Sequence, residues 1–474
     1  MNINDILISS SEKFRGHIEF EEFQNSVMDI LFYKYLSYNI EKENNKKLFK
    51  YDITFQEAFN EENYEFYGKI IKEENMKILG YFIEPVDLYQ NILKSNNVID
   101  DFNKAVKNIK FENEELKKLF TFINSKNNDE LKEAYEYLIQ EVNLIKFKNE
   151  NIDELMKYFL KNSFTPIEIS KLLCMTVSST KKDFKNIYDA TCGSASTLLM
   201  LKKVANVNNY FGQEIKKNSF RLSQMNMIMH GIPPKNFQIF NEDSTTSQRE
   251  LPPMDAIVSH PPFLKKWDAN KNLINDKRFN SYKKLPPKSK ASYAFIETMI
   301  YHLNENGIMA VVMPQTILSR SNAEKEIWKT LVKEKNYVDA IIGLPEKTFP
   351  KNISACIIIF KKNRNKEDNI LFIDASQEFE KTNNLHKLTE ENISKIVNIY
   401  KNKSEINRYS HNASISEIKE NDYNLNIKRY VNTYVEKDKI NIKETINEID
   451  SLEKDILLLK EKEKELLKKL GFSN

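Results

Sequence analysis

The chain has 474 residues, long enough for two or three domains at ~100–200 residues each, and its hydrophobic share of 41% allows substantial cores. A formal net charge of +3 excludes a polycation, so any contact with nucleic acid must come from local basic patches. The three cysteines, Cys174, Cys192 and Cys356, lie far apart and form no metal-ligand pair, which favours a reducing compartment without disulfides.

The first residues carry no basic start followed by a long apolar run, which argues against a signal peptide. No stretch approaches the ~20 consecutive apolar residues that a membrane span requires. We therefore expect a cytoplasmic protein that does not interact with a membrane.

Residues 1–160 have a helical pattern. Only three glycines and one proline occur before residue 160, and no alternating strand pattern is visible. The segment "FEEFQNSVMDILFYKYLSYNIEK" carries apolar side chains at three- and four-residue spacings, as an amphipathic helix does. The sequence predicts an N-terminal helical domain over these residues.

The pattern changes at "SFTPIEISKLL", where Thr165 can cap a helix, Pro166 suits the first helical position and Glu168 lies three residues after the cap. Short β-branched runs then alternate with helical segments, which favours a mostly parallel, doubly wound sheet and an α/β domain over 161–380. The predicted strands are "NIYDAT", "NYFGQE", "FQIF", "MDAIVS", "GIMAVVMP", "VDAIIGLP", "SACIIIFKK" and "NILFIDAS".

Residues 381–440 read as a helical or irregular connection, and residues 441–474 as one long helix. This last helix has a heptad pattern with dense Glu and Lys between the apolar positions, which favours packing against a partner helix. The alternative is a helix that folds back on its own protein. The heptad positions are Ile442, Ile449, Ile456 and Leu470 at a, with Leu452, Leu459 and Leu466 at d.

The first candidate site is "IYDATCGSAST". A strand that ends at Asp189 leads into a turn of small residues, Cys192, Gly193 and Ser194, and then into a helix. Small side chains let a ligand approach the backbone at a helix N-terminus. Glu214 ends the next strand, 25 residues after Asp189, where an acid can accept hydrogen bonds from ribose hydroxyls. The pattern favours a nucleoside cofactor; tight packing of an ordinary α/β turn is the alternative.

Asp243, in "NEDS" after the third strand, can accept a hydrogen bond from the amino group of an adenine on that cofactor. Aspartate is also the default residue of a polar turn. The residue alone leaves both interpretations open.

The candidate chemical site is "DAIVSHPPF", at the end of the fourth strand. Two prolines stiffen the loop and turn carbonyls outward, so that one carbonyl and the His260 side chain can hold the two hydrogens of an exocyclic amine. An aromatic ring can stack on a base extruded from a duplex. A rigid proline turn closed by a core phenylalanine is the alternative. The proposed catalytic residues are His260, Pro261, Pro262 and Phe263.

Residues 264–291 form a basic segment with nine Lys or Arg against two Asp, a local charge of +7, interleaved with Trp267, Phe279 and Tyr282. We interpret it as a flexible clamp for DNA phosphates, with a solvated surface run as the alternative. The candidate DNA-binding residues are Lys265, Lys266, Lys277, Arg278, Lys283 and Lys284.

These pieces, in this order, resemble the modification subunit of type I restriction–modification systems, an S-adenosylmethionine-dependent adenine-N6 DNA methyltransferase. The resemblance implies an N-terminal helical domain, a Rossmann-like catalytic domain and a C-terminal helix that docks on a separate specificity subunit. It also implies duplex DNA as substrate, a motor–nuclease restriction subunit in the same complex, and no metal for the transfer step. The matching segments include "LFYKYLS", "YFIEP", "FTPIEISKLL", "DATCGSAS", "FGQE", "RLSQMNMIMHGI", "SHPPF", "LPPKSKASYAFI", "YVDAIIGLPEKTF", "LFIDAS" and "NDYNLNIKRYV".

By this resemblance, Phe164, Thr165 and Pro166 contact the methionine end of the cofactor. The turn of Asp189, Cys192, Gly193 and Ser194 becomes the cofactor loop, Glu214 the ribose-binding acid and Asp243 the adenine contact. His260 to Phe263 fall on the catalytic tetrad.

The sequence departs from the family pattern at two positions that bear on catalysis. The family has Asn, or Asp in related enzymes, where this chain has His260, and a glycine where this chain has Ala195. A protonated imidazole would be a donor only, and an added methyl group would crowd the ligand. A catalytically degenerate subunit that still binds partner and DNA is therefore the main alternative, and a nicotinamide-dependent enzyme on the same fold is a third.

Overall fold

The computed structural model describes residues 3–124, 128–147, 152–154, 165–268, 270–282, 284–319, 322–349, 353–382, 385–432 and 442–469. The chain divides into two compact units, Met1–Val431 and Asn432–Asn474. Among the helices of these described ranges, none is both long enough and apolar enough to cross a membrane.

The N-terminal region is helical, as predicted, with one short antiparallel pair of strands that the sequence pattern did not reveal. The helix α2 (Phe20–Leu48) is 29 residues long, and every residue from Ser26 to Ser37 is buried, so this part of the helix is enclosed on all sides and not only along the one apolar face that the sequence pattern predicts. The elements are α1 (Ile3–Phe14), α2 (Phe20–Leu48), α3 (Lys69–Ile78), β1 (Tyr81–Phe82), α4 (Tyr89–Ile92), α5 (Val98–Asn108), β2 (Lys110–Phe111) and α6 (Asp129–Asn143).

A mostly parallel sheet of nine strands forms the centre of the first unit, with the order β13-β10-β8-β9-β7-β6-β3-β4-β5. All eight strands that the sequence predicts are present, which confirms the α/β class. The strands are β3 (Asp183–Asp189), β4 (Asn206–Gln213), β5 (Phe237–Phe240), β6 (Met254–Ser259), β7 (Leu303–Pro314), β8 (Val338–Gly343), β9 (Ala355–Lys361), β10 (Ile370–Asp374) and β13 (Ser410–Ala413). A separate two-stranded ladder joins β11 (Glu380–Lys381) to β12 (His386–Lys387).

Helices cover both faces of the sheet, as a doubly wound fold requires. Ile357 and Ile359 of β9 point into one core, whereas Cys356 and Ile358 point into the other. The first core also contains side chains of α7 (Ile167–Val177), α8 (Ser196–Val204), α9 (Lys217–Met229) and α12 (Glu390–Asn402). The second contains side chains of α10 (Ser292–His302), α11 (Asn322–Lys329) and α13 (Ile415–Glu420).

The observed sheet topology differs from the predicted one in two places. The strand β9 runs antiparallel to both of its neighbours, β7 and β8. The edge strand β13 lies at residues 410–413, inside the segment 381–440 that we expected to be only a connection, and it pairs with β10. The sheet therefore does not end at residue 380.

The N-terminal helices belong to the same compact unit as the sheet. Asp29 of α2 forms an ion pair with Arg221 of α9 at 2.6 Å, and the Arg221 guanidinium also donates to the carbonyl of Leu119. Burial raises the pKa of Asp29 to about 6, although the adjacent Arg221 charge opposes that shift. Removing either charge would leave the other buried and unpaired, so this pair holds the two regions together.

The second unit contains the predicted C-terminal helix, α14 (Ile442–Lys469). Its apolar side chains are 42% to 65% exposed wherever the structure describes them. Leu470 lies outside the described residues. The described exposed apolar residues are Ile446, Ile449, Leu452, Ile456, Leu457, Leu458, Leu459, Leu466 and Leu467.

Candidate active site

A cavity of about 560 Å³ lies at the carboxyl ends of the parallel strands. Asp189 is the last residue of β3, Glu214 and Asp243 follow β4 and β5, and His260 follows β6. Because parallel strands end at one edge of the sheet, these four side chains converge there. The predicted residues that line the cavity are Thr165, Asp189, Cys192, Gly193, Ser194, Glu214, Asp243, His260, Pro262 and Phe263.

Two of the described residues that we predicted for the site do not line this cavity. Pro166 and Pro261 are absent from its wall, and Pro261 is buried. Phe164 lies outside the described residues.

Glu214 connects the small-residue turn to the next strand. Its Oε2 accepts from the backbone N–H of Gly193 at 3.1 Å, and its Oε1 accepts from the backbone N–H of Lys216 at 2.7 Å. Gly193 has a φ of +54°, a conformation that costs little only for glycine. The turn therefore exposes its backbone to the cavity beside a fixed carboxylate.

Ala195 does not obstruct the cavity, contrary to the sequence-based concern. It precedes α8 with a φ of +63°, which strains a non-glycine residue by roughly 1–2 kcal/mol. Its side chain is fully buried in the core and is not part of the cavity wall. A glycine at this position would relieve the backbone strain, and the methyl group of Ala195 packs in the core.

Asp189 is a buried carboxyl group, and the donors bonded to it among the described residues are neutral. Its Oδ1 accepts from the backbone N–H of Thr191 at 2.9 Å and from the Ser259 hydroxyl at 2.6 Å. Burial raises the pKa of Asp189 to about 7, and the neighbouring Glu214 charge adds to the shift. A cationic group bound in the cavity would favour the ionised form.

Asp243 forms an ion pair with Lys265 at 2.6 Å, and its Oδ1 accepts from both the backbone and the hydroxyl of Thr245. Burial alone would raise the pKa of Asp243, but these bonds outweigh it and hold the pKa below its usual value. Lys265, which we expected to contact DNA, thus points its ammonium group at the cofactor side of the cavity.

His260 lies in an aromatic cluster at the other end of the cavity. Its ring centroid is 5.0 Å from that of Phe263 and 4.9 Å from that of Phe349, and the two phenylalanine rings are 5.4 Å apart. Burial lowers the pKa of His260 to about 4, so the imidazole is neutral at neutral pH. A protonated imidazole, which could only donate hydrogen bonds, is therefore not the form of His260 at neutral pH.

Thr165 does not cap α7, contrary to the prediction. The helix begins at Ile167 with Pro166 in the cap position and no side-chain capping bond. The Thr165 hydroxyl instead lies 3.0 Å from Nδ1 of His260. Its partner is 95 residues away in sequence, so no local motif could have revealed the contact.

Phe349 is the functional candidate that sequence reasoning missed. It follows β8 in the quoted segment "YVDAIIGLPEKTF", is only 4% exposed, and lines the cavity opposite Phe263. An aromatic residue soon after a strand end was the available signal, but only the fold shows that this strand end faces the His260 loop.

The aromatic residues of the basic segment are buried and anchor the segment, so they do not present rings for stacking at the surface. Trp267, Phe279 and Tyr282 are all buried, and the Trp267 indole donates to the carbonyl of Pro287 at 3.1 Å. Their role is therefore packing, which corrects the expectation that they contribute to a nucleic-acid surface.

The six candidate DNA-binding residues differ in their accessibility. Arg278 is 4% exposed and bonded to Asp276 and to the carbonyl of Ser244, so in this structure it is not available to a phosphate. Lys265 is engaged by Asp243, and Lys283 lies outside the described residues. Lys266, Lys277 and Lys284 are exposed.

The family model for N-6 DNA Methylase matches residues 126–439, about two thirds of the chain. The chain belongs to this family. The type I restriction enzyme MpnII methylase subunit of Mycoplasma pneumoniae is 32% identical over 94% of this chain and 92% of its own length. The MjaVII methylase subunit of Methanocaldococcus jannaschii is 30% identical over 80% of this chain and 70% of its own length.

A solved structure agrees with these relatives. The methyltransferase subunit of a type I restriction-modification system from Streptococcus thermophilus is 31% identical, with a TM-score of 0.79 over 91% of this chain and 99% of that one. The chain is thus a member of the type I methylase subunits and, by family, an adenine-N6 DNA methyltransferase. The comparisons give the degenerate alternative no specific support.

Proposed function

We propose that this chain transfers a methyl group from S-adenosylmethionine to N6 of an adenine in duplex DNA, as the modification subunit of a type I complex. One observation supports this proposal. The same cavity is lined by the acids Glu214 and Asp243 and by the His260–Phe263–Phe349 cluster. Such a cavity can bring a cofactor and an extruded base together.

The carboxylates and backbone groups at one end of the cavity match the polar groups of S-adenosylmethionine. Glu214 and Asp243 present carboxylates to the hydroxyls and the amino group of a nucleoside, and Gly193 gives access to the backbone. Asp189 is a buried carboxyl group to which the described residues bring no cation, which suits the ammonium group of the methionine end. When bound, the cofactor supplies an electrophilic methyl group on a sulfonium.

The target side would hold the adenine. The partly exposed Phe263 would stack on the base, with the buried Phe349 packed against it, and the neutral His260 would offer a ring nitrogen to the exocyclic amine. By the resemblance, the Pro261 carbonyl, next in the same loop, would accept the second amine hydrogen after a shift of the loop, since Pro261 is buried outside the cavity wall in this structure. Both acceptors would orient the nitrogen lone pair towards the methyl donor, so most of the rate enhancement is positioning.

DNA would be held beside the cavity by the exposed cations Lys266, Lys277 and Lys284. Phosphate contacts of this kind position a duplex without reading its sequence. We therefore assign sequence reading to a separate specificity subunit, with a motor–nuclease subunit as a further component of the complex.

The decisive experiment replaces the unusual residue with the family residue. The chain is purified with its specificity subunit, and transfer of tritiated methyl groups to DNA is measured for the wild type and His260→Asn. We expect slow transfer by the wild type and an increase of ~10-fold or more in the variant, because the ring nitrogen is set further out from the backbone than the amide oxygen of the family residue.

His386→Asn, a substitution outside the cavity wall, is the matched control and should leave the rate unchanged. Absence of both methyl transfer and cofactor binding by calorimetry, in wild type and variant alike, would instead support the degenerate subunit.

The helix α14 is the proposed docking element for the specificity subunit, because its heptad face is exposed in the described residues. Deleting residues 442–474 should abolish co-purification of the two subunits. Leu452→Asp should weaken the complex strongly, whereas Lys454→Asp, two residues along and off the heptad seam, should not. An intact complex after the deletion would refute the docking role.

A further inference from the structure

The hydrogen bond between Thr165 and His260 carries more than a packing role. The distance from Thr165 Oγ1 to His260 Nδ1 is 3.0 Å, and the threonine makes no helix-capping bond that would compete for its hydroxyl. A neutral imidazole has one N–H and one bare nitrogen, so the bond at Nδ1 decides what Nε2 presents to its surroundings.

His260 lines the cavity wall, and Nε2 is the ring nitrogen that the Thr165 bond leaves over. No described residue forms a hydrogen bond with Nε2. This nitrogen is also not one of the fully buried polar atoms that lack a partner. Phe263 and Phe349 pack against the ring and fix its plane. The orientation of the ring is therefore set, and only its tautomer is left to be chosen.

We propose that Thr165 is a positioning residue whose hydroxyl oxygen accepts a hydrogen bond from Nδ1–H of His260, leaving Nε2 as the lone-pair acceptor for the target amine. This inference rests on the proposed function, because it states how a histidine performs the task of the family asparagine. The low pKa of the ring supports it by excluding the doubly protonated form near neutral pH.

The opposite arrangement would work against the reaction. If the Thr165 hydroxyl donated to Nδ1, the proton of His260 would sit on Nε2 and face the hydrogens of the exocyclic amine. Two donors facing each other repel and leave the amine without one of its two acceptors. A side-chain amide carries its acceptor oxygen in every protonation state near neutrality, whereas an imidazole needs a partner to select the correct tautomer.

The first test reads the tautomer directly. The full-length chain is labelled with ¹⁵N-histidine, long-range ¹H–¹⁵N spectra are recorded, and the His260 signal is assigned by its absence in His260→Asn. We expect Nδ1–H in the wild type and in Thr165→Ser, and a shift towards Nε2–H in Thr165→Val. A wild type with Nε2–H overturns the proposal, even if the valine variant fails to fold.

This spectrum needs neither DNA nor cofactor. If the complex transfers no methyl group, the proposed function fails, and the tautomer is still decided. The two ideas can therefore fail separately.

The second test is a double-mutant cycle on the complex with the specificity subunit. Thr165→Val should lower kcat about 10-fold in the wild-type background, because the competent tautomer becomes the minor one. Thr165→Ser should restore the rate. In the His260→Asn background, the loss of kcat caused by Thr165→Val should be several-fold smaller, since no tautomer remains to be set and only the contribution of Thr165 to the cavity wall is lost. An equal loss in both backgrounds would mean that Thr165 acts on cofactor or fold, and would overturn the proposal.

Discussion

Two buried aspartates on opposite edges of one sheet show how differently the protein treats a carboxyl group. Asp189 is the last residue of β3, at the carboxyl edge where the cavity opens. Asp339 is the second residue of β8, which runs parallel to β3 through the chain of strand pairings, so it lies at the amino edge. Their exposures are 2% and 3%.

Asp339 is surrounded by cations. Lys361 and Lys403 lie 3.2 Å and 3.0 Å from its oxygens, Arg364 forms a further ion pair, and the Tyr400 hydroxyl donates at 2.7 Å. Burial alone would raise its pKa, but the charges of Lys403, Lys361 and Arg364 outweigh that effect and hold the pKa well below its usual value.

From the part of the chain that the structure describes, Asp189 accepts hydrogen bonds from a hydroxyl and a backbone amide, and burial raises its pKa to about 7. Among the described residues, cations thus compensate the carboxyl group at the amino edge and none compensates the one at the carboxyl edge, where the cavity opens. A buried acid with a raised pKa at this edge of a parallel sheet is a candidate for ligand binding.

The largest expected effect is on stability at the amino edge. Asp339→Asn removes the charge that three cations share, and breaking a buried ion pair in this way costs about 3–5 kcal/mol. The measurement is the free energy of unfolding from urea denaturation. The matched variant Asp189→Asn leaves no cation unpaired and should change that free energy by less than about 1 kcal/mol; equal losses would contradict the comparison.

The next effect is on binding at the carboxyl edge. Asp189→Asn should weaken S-adenosylmethionine binding about 10–100-fold, because a charge-assisted hydrogen bond contributes roughly 1.5–3 kcal/mol. Titration calorimetry on the full chain measures it. Asp339→Asn, studied at a temperature where it remains folded, serves as the control and should retain wild-type affinity.

The smallest effect is a pH dependence that only one of the two aspartates can produce. A cationic ligand binds the ionised form of Asp189, so its affinity should be constant well above pH 7 and fall as pH drops below 7, by up to about 10-fold per unit. Asp339 remains ionised throughout this range. A pH dependence that persists in Asp189→Asn would show that another group titrates.

The sequence predicted the cofactor side of the site better than the target side. Asp189, Glu214 and Asp243 each end or closely follow a predicted strand, and neighbouring parallel strands bring such positions together whatever the details of packing. Phe349 follows β8, which is separated from β6 by β7 and the antiparallel β9, so its approach to His260 depends on the strand order.

The basic segment illustrates the same limit. Its charge was visible in the sequence, but the pairing of Arg278 with Asp276 and of Lys265 with Asp243 was not. Charge counts give the local field, whereas the availability of each cation depends on which carboxylate lies within reach after folding.

By itself, the amino-acid sequence determined the strands, the position of the site at their ends and the family, because apolar periodicity and short motifs are local in the chain. Tertiary structure alone decided that Thr165 bonds His260 and not its own helix, and that Ala195 points into the core. The physical reason is that a hydroxyl or a methyl group takes the environment that folding provides, and residues 95 positions apart meet only once the sheet has formed.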